Sequence, residues 1–349
     1  MTKEKSPKAS VGDIARAAKV SRTAVAFALQ NRPGVSESTR QRILRIAGEL
    51  GYAPDARVAS WMATVRKAKV KDLLPVAWLN TGPEKDSWQK YKFHSPALEG
   101  ARERCRQLGY RLEEIWTQQP GMTMKRLSKI LYQRGIEGVI VTYPARHLRL
   151  NWDHLACVAF GGSLLAPRHH CVIPDNYFNL TLTLKMLRRY GYRRIGICLS
   201  EQTDRFVHRI FSTLASHLYA MSLPAERVKP LLLARAMRTD HDKKAQIAAW
   251  LKCNRPEVII GHDNNLVHWV EELGYRVPHD ISIVHLAIDD DVLDWAGIHS
   301  KRRAMGMTAA EWLISLMRNH QFGVPETALN IQIRGSWRFG RTLLIPKPK

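Results

Sequence analysis

Residues 11–55 read VGDIARAAKVSRTAVAFALQNRPGVSESTRQRILRIAGELGYAPD, and three short helical patterns fill this run. Ser10 and Asp13 stand at capping-box spacing, with the acid at the positive end of the helix that follows. Ile14, Ala15 and Ala18 give that helix a small apolar face. Val20-Ser21 restarts the chain, Ser21 is a good N-cap, and Val25, Ala26 and Leu29 recur at helical spacing. Pro33-Gly34 breaks this second helix. Ser36 caps a third, in which Ile43, Ile46, Ala47 and Leu50 form the buried stripe and Gly51 ends it. Two small-residue helices joined by a tight turn, then a longer buttress, make a helix-turn-helix unit.

Charge points the same way. The 349 residues hold 54 Lys+Arg against 31 Asp+Glu, a formal net charge of +23. Residues 1–70 carry 14 basic and 5 acidic side chains, a net +9 in one fifth of the chain. Such an excess repels itself unless a polyanion is near, so nucleic acid is the leading partner. No apolar run reaches the length of a membrane helix. The opening MTKEKSPKAS is basic with no apolar segment behind it, so no secretory signal is expected there. Cys105, Cys157, Cys171, Cys198 and Cys253 are odd in number and form no CxxC pair, which suits reduced thiols in a cytoplasmic protein.

The 11–55 run resembles the headpiece of LacI/GalR-type bacterial transcription regulators. The resemblance rests on the D-[IV]-A start, the V-S-x-x-x-V second helix, the V-S-x-x-T-R opening of the third, and the closing L-G-Y-x-P. In a helix-turn-helix the second helix enters the major groove with its N-terminal residues at the base edges. These are Arg22, Thr23 and Ala24: Arg22 can bond guanine O6/N7 in bidentate fashion, and Thr23 offers a hydroxyl and a methyl. Ser21, Ser36 and Thr39 stand where helix N-termini meet phosphate, a role compatible with capping. The chain departs from the family at Ala24-Val25-Ala26-Phe27, where many members have Thr-Val-Ser-Arg, so an unusual operator preference is expected. Arg32, Arg40, Arg42 and Arg57 are candidates for backbone attraction.

The resemblance implies a hinge helix over residues 53–72 that forms when two subunits meet and wedges an apolar side chain into the minor groove. Trp61 or Met62 fits that role, depending on whether one residue is inserted after Pro54. Packing between hinge helices or onto the core is the other reading for Trp61.

From Leu73 onward apolar strands alternate with amphipathic helices. LLPVAWL (73–79), RLEEIW (111–116), GVIVTY (138–143), CVAF (157–160), RIGICL (194–199), VIIG (258–261) and ISIVHLAI (281–288) read as strands. Stretches 96–108, 122–134, 179–190, 205–220, 243–252, 264–273 and 304–318 read as helices. Such alternation gives parallel sheets with helices on both faces, and this length suits two of them. ALEGARERCRQLGYRL, RGIEGVIV, VIPDN, LRRYGYRRIGIC, ELGYRVPHDISIV and DWAGIHSKRRAMGMTAAEWLISLM extend the resemblance to the family's sensor core.

The expected fold is thus an all-α helix-turn-helix headpiece (1–52), a hinge (53–72), and an α/β two-lobe periplasmic-binding-protein-like sensor core (73–349). By the resemblance, lobe 1 takes about 73–172 and 298–323, and lobe 2 about 173–297 and 324–345, the latter including the terminal strand ALNIQIRGSWRF. Ligands of such folds bind at the carboxyl ends of the strands. The implied ligand residues are Tyr91 and Phe93 after the first strand, Tyr143 ending the third, Arg205 or Arg209, Asp263 after VIIGH, and Trp295. Aromatic walls with a few charged groups suit a sugar or another small polar ring. Family members carry an acid where this chain has Ala287; Asp289, two residues on, is the candidate to compensate.

Dinucleotide, P-loop, zincin and nucleophile-elbow motifs are absent from the sequence. His169-His170-Cys171 lacks a partner pair at ligand spacing, and Asp289–Asp291 reads as an acidic turn. Neither a metal nor a cofactor is expected. The leading function is a DNA-binding transcription regulator, a repressor, acting as a homodimer on a palindromic operator under the control of a small effector. The alternative is a carbohydrate-binding protein or enzyme whose N-terminal domain does not bind DNA.

Overall fold

A computed structural model describes residues 10–29, 33–52, 73–85, 95–142, 147–162, 164, 166–234, 239–288 and 292–345. Its first unit holds α1 (Val11–Ala18), α2 (Arg22–Leu29) and α3 (Glu37–Glu49). The Ser10 hydroxyl accepts the Asp13 N–H at 3.3 Å while the Ser10 N–H donates to Asp13 Oδ2 at 2.9 Å. This reciprocal box satisfies two donors that the first turn would otherwise leave open. Lys19 ends α1 in the left-handed region, and Ser21 Oγ accepts the Ala24 N–H at 3.1 Å to start α2. Ile14, Ala15, Ala18, Val25, Ala28, Ile43 and Ala47 make the core, flanked by Val11, Val20, Leu29, Val35, Ile46 and Tyr52. The inward edge of α2 is therefore Val25–Ala28 and not Val25–Ala26, and Leu50 is exposed.

The larger unit holds two six-stranded sheets. The first contains β1 (Leu74–Asn80), β2 (Tyr110–Trp116), β3 (Gly138–Thr142), β4 (Ala156–Phe160), β5 (His170–Pro174) and β11 (Asn330–Ile333), in the order β11-β5-β4-β3-β1-β2. All its pairings are parallel. The second contains β6 (Ile195–Ser200), β7 (Leu231–Leu233), β8 (Val258–Gly261), β9 (Ser282–Ile288), β10 (Ala296–His299) and β12 (Ser336–Arg338), in the order β12-β10-β9-β8-β6-β7. Only β12 runs antiparallel to its neighbour among these strands. The helices are α4 (Ser95–Gln107), α5 (Met124–Gln133), α6 (Asn176–Arg189), α7 (Glu201–Phe206), α8 (Ile210–Met221), α9 (Asp240–Asn254), α10 (Leu266–Glu272) and α11 (Arg302–Arg318). Strands such as β3 and β4 are buried along their whole length, as a parallel sheet covered on both faces requires.

The chain passes between the sheets three times, after Pro174, after His299 and at Arg334-Gly335. The terminal stretch 328–339, expected wholly in the second lobe, is divided: Asn330–Ile333 extend the first sheet beside β5, and Ser336–Arg338 pair with β10. Tertiary contacts fix the step. Arg334 Nε lies 3.3 Å from Asp175 Oδ2, and the Gly335 N–H donates to Asn179 Oδ1 at 2.9 Å. A Cβ at Gly335 would come within 2.3 Å of Ile298 Cγ2, so the strand can cross there only as glycine.

The helix expected over 205–220 is also broken. His208 and Arg209 adopt left-handed φ of 53° and 60°. The buried Asp204 carboxylate reaches over the break to accept the Ser212 N–H at 2.9 Å, capping α8 from the preceding helix. Finally, α11 returns to the first lobe and packs against α4 at backbone distance. A Cβ at Gly306 would stand 1.8 Å from the Ala97 carbonyl oxygen, and one at Gly100 would stand 2.2 Å from that of Arg303.

Candidate DNA-reading helix and effector crevice

In the headpiece, Val25 and Ala28 turn α2 inward and leave Ser21, Arg22 and Thr23 exposed at its N-terminus. Ala24 is half-buried beside them, its N–H committed to Ser21. Arg22 lies over Gly12, where a Cβ would meet its Nη2 at 3.4 Å. Asp13 is held below the usual carboxylate range by the Ser10 hydroxyl and N–H, with the charges of Arg16 and Arg22 adding to the effect. Ser36 caps α3: its hydroxyl accepts the Thr39 N–H at 3.4 Å and donates to Thr39 Oγ1 at 2.8 Å. Arg40 lies 3.8 Å from Glu37, whereas Arg42 is exposed. Arg32, Arg57, Trp61 and Met62 lie outside the described residues.

In the core, strand order reverses at β1, which lies between β2 and β3, and at β6, which lies between β7 and β8. The carboxyl ends of strands at such switch points are where α/β folds leave a crevice. In the first lobe Thr81 donates to the Thr142 carbonyl at 2.7 Å and Thr142 donates to the Leu79 carbonyl at 3.0 Å, locking the ends of β1 and β3 together. Tyr91, Phe93, Tyr143 and Asp289 lie outside the described residues.

In the second lobe Arg205 and Arg209 are exposed at the α7–α8 break. Asp263 follows β8 and accepts the Asn265 N–H at 3.0 Å. The sequence reading missed the histidines beside it. Gly261 pairs with His285 across β8 and β9, bringing the His262 and His285 rings to 5.4 Å. Phe211 stands 6.4 Å from His262, and Trp295 meets His285 edge-on at 5.7 Å. The His285 Nδ1 accepts the Ala287 N–H at 3.2 Å, so its Nε2 carries the proton of the neutral ring. That nitrogen is buried and has no hydrogen-bond partner among the described residues. Burial, with the neighbouring His262 and Arg302, pushes His285 down to about 3. Burial and Arg302 push His262 down to about 4.

Of the sequence-stated ligand residues, then, Asp263 and Trp295 flank this histidine pair, while Arg205 and Arg209 stand at the α7–α8 break. A histidine inside an otherwise apolar strand, ISIVHLAI, and another directly after VIIG were the available clues. Ala287 is buried in β9.

His170 and Cys171 belong to β5: His170 Nδ1 accepts the Leu329 N–H at 3.1 Å, and the Cys171 thiol donates to Asn330 Oδ1 at 2.8 Å. His169 stacks on Trp152 with ring centroids 4.2 Å apart. Among the described residues no three metal-binding side chains gather, and no helix is long and apolar enough to cross a membrane. Burial pushes the Cys105 and Cys198 thiols up to about 12.

The family model described as bacterial regulatory proteins of the lacI family matches residues 10–55, the whole capped three-helix unit. A periplasmic binding protein-like domain matches residues 184–337. Residues 10–55 are therefore a LacI-family DNA-binding domain. The chain is 26% identical over 299 residues to the HTH-type transcriptional regulator MalR of Streptomyces coelicolor, covering 81% of each chain. It is 24% identical over 351 residues to the HTH-type transcriptional repressor PurR of Aliivibrio fischeri, covering 94% of this chain and 98% of the relative. Its fold matches the transcriptional regulator CelR in complex with cellobiose with a TM-score of 0.57 at 17% identity, covering 96% of this chain and 99% of that one. The lac repressor dimer bound to operator and the anti-inducer ONPF gives the same TM-score and identity, with 97% and 100% covered. The chain is therefore a DNA-binding transcription regulator with a periplasmic-binding-protein-like core, and the relatives named here are regulators rather than enzymes.

Proposed function

We propose that this protein is a cytoplasmic homodimeric repressor whose hold on a palindromic operator is set by a small polar effector, a sugar or similar ring, in the inter-lobe crevice. The observation that carries the reading is the joining of a capped helix-turn-helix to two sheets that the chain crosses three times. A ligand that draws such lobes together changes the spacing of whatever stands before residue 73 in each subunit, coupling ligand and DNA affinities reciprocally. Two-fold operators reward a two-fold protein.

Arg22, Thr23 and Ala24 read bases in this scheme, Ser21, Ser36, Thr39 and Arg57 hold phosphates, and Trp61 or Met62 supplies the minor-groove wedge. Residues 1–52, 53–72 and 73–349 act as headpiece, hinge and sensor. Tyr91, Phe93, Tyr143, Arg205, Arg209, Asp263, Asp289 and Trp295 surround the effector, joined by His262 and His285. The cellobiose complex of CelR supports a sugar, as does the ribose operon repressor of Haemophilus influenzae, 26% identical over 325 residues.

A thermal-shift panel of mono- and disaccharides tests this. A compound at a hundred times its Kd stabilises the native state by about 2.7 kcal/mol. The same compound must change operator affinity, and Asp263→Ala must blunt both effects. If no compound does both, effector control by a sugar is refuted.

A further inference from the structure

The outer face of α2 holds a feature that neither capping nor the headpiece core explains. Its inward edge is Val25 and Ala28, both buried. Arg22 and Thr23 are exposed on the other side, and one turn further along that side come Ala26 and Phe27 at i+4. Both are half-buried. Phe27 is the largest apolar side chain of the described headpiece helices, yet it is not among the described residues that pack into the headpiece core. Its ring lies instead against the turn that follows α2. A Cβ at Gly34 would meet Phe27 Cδ2 at 3.2 Å and Cε2 at 3.4 Å, and Gly34 has a φ of +111°. Glycine there leaves room for the ring.

Beyond Arg22 the helix offers no charge: residues 23–29 read TAVAFAL. Past the Thr23 hydroxyl, a groove-facing surface of methyls and a phenyl cannot bond to base nitrogens or oxygens. The major groove presents one strongly apolar group, the thymine C5-methyl. We infer that Phe27, flanked by Ala26, reads thymine methyl groups in each half-site. The inference rests on the placement of α2 in the major groove. Phe27 lies five residue steps along the helix from Arg22, a rise of about 7.5 Å, or about two base steps of about 3.4 Å. The half-site therefore pairs a base contacted by Arg22 with a thymine about two steps away.

The test starts from a duplex selected by the full-length protein from a random pool. Each thymine of the half-sites is replaced in turn by deoxyuridine, which keeps base pairing and loses only the methyl. Affinity is read by fluorescence anisotropy at fixed salt. One or two thymines per half-site should each lose about fourfold on removal of the methyl, and about fifteenfold when both half-sites are changed. Phe27→Ala and Phe27→Gln should bind the thymine and uracil duplexes equally, with the wild-type salt slope, because no phosphate contact is lost. The inference is overturned if wild type is indifferent to every substitution, or if both variants keep the wild-type preference for thymine. A wild-type protein that selects no duplex would overturn the groove placement as well, so the two failures are distinguishable.

Discussion

Replacing His285 by Asn should flatten the acid sensitivity of the sensor core. His285 is 1% exposed and its folded pKa lies at about 3; His262 and His169 lie at about 4. In the unfolded chain each titrates near about 6.5. Between that value and the folded ones, the unfolded state holds a proton that the native state refuses, so stability falls as pH falls. At pH 5.5, one unit below the unfolded value, each ring costs about 1.4 kcal/mol, and the three together about 4 kcal/mol. Asn keeps an acceptor where Nδ1 receives the Ala287 N–H, but it does not titrate. Urea unfolding at pH 7.5 and pH 5.5, followed by tryptophan fluorescence, should show His285→Asn losing about 1.4 kcal/mol less than wild type over that interval. Equal losses in the two proteins would refute the claim that His285 is held neutral by burial beside His262 and Arg302.

Three further outcomes follow from the geometry. Arg22→Ala should cost about 1–3 kcal/mol per half-site and erase preference at one base pair, read by binding-site selection on wild type and variant; an unchanged preferred site would show that Arg22 reads no base. Ser10→Ala removes the acceptor of the α1 capping box and should destabilise the headpiece by about 1 kcal/mol, seen as faster amide exchange at Asp13 and Ile14, with α11 unaffected. Gly306→Ala places a methyl against the Ala97 carbonyl and should destabilise the first lobe by at least about 2 kcal/mol in urea, whereas Gly48→Ala, where a Cβ would meet nothing within 4 Å, should not destabilise at all.

The headpiece was legible because its rules are local. Ser10, Asp13, Ser21, Ser36 and Gly51 each act within one turn of themselves, and the structure shows each at its helix end. Two positions differ: Leu50 at the end of α3 is exposed, and α2 turns Ala28 inward where Ala26 was expected, since the two alanines are chemically alike and only packing in the core with Ile14 and Ile43 selects between them. In the core, long apolar strands were plain, but β7 has three residues, β5 carries a histidine and ends at a proline, and β10 is shifted in register around Gly297. Such pieces become strands because a neighbour pairs with them. The division of 328–339 is likewise set by distant partners, Asn179 and Asp175, while the break at His208–Arg209 is bridged by Asp204, eight residues before the Ser212 N–H that it accepts. The histidine pair was hidden for the same reason. His262 and His285 are 23 residues apart in sequence, and only the β8–β9 register makes them neighbours.

If exposed groups on α2 give this chain a sequence-specific hold on DNA, competition between two duplexes will show it. The full-length protein is titrated by anisotropy against its selected palindromic duplex and against the same duplex with both half-sites scrambled, at about 0.15 M salt. The selected site should be preferred at least about a thousandfold, with affinity for both duplexes falling as salt rises. Equal affinity for the two duplexes would contradict it.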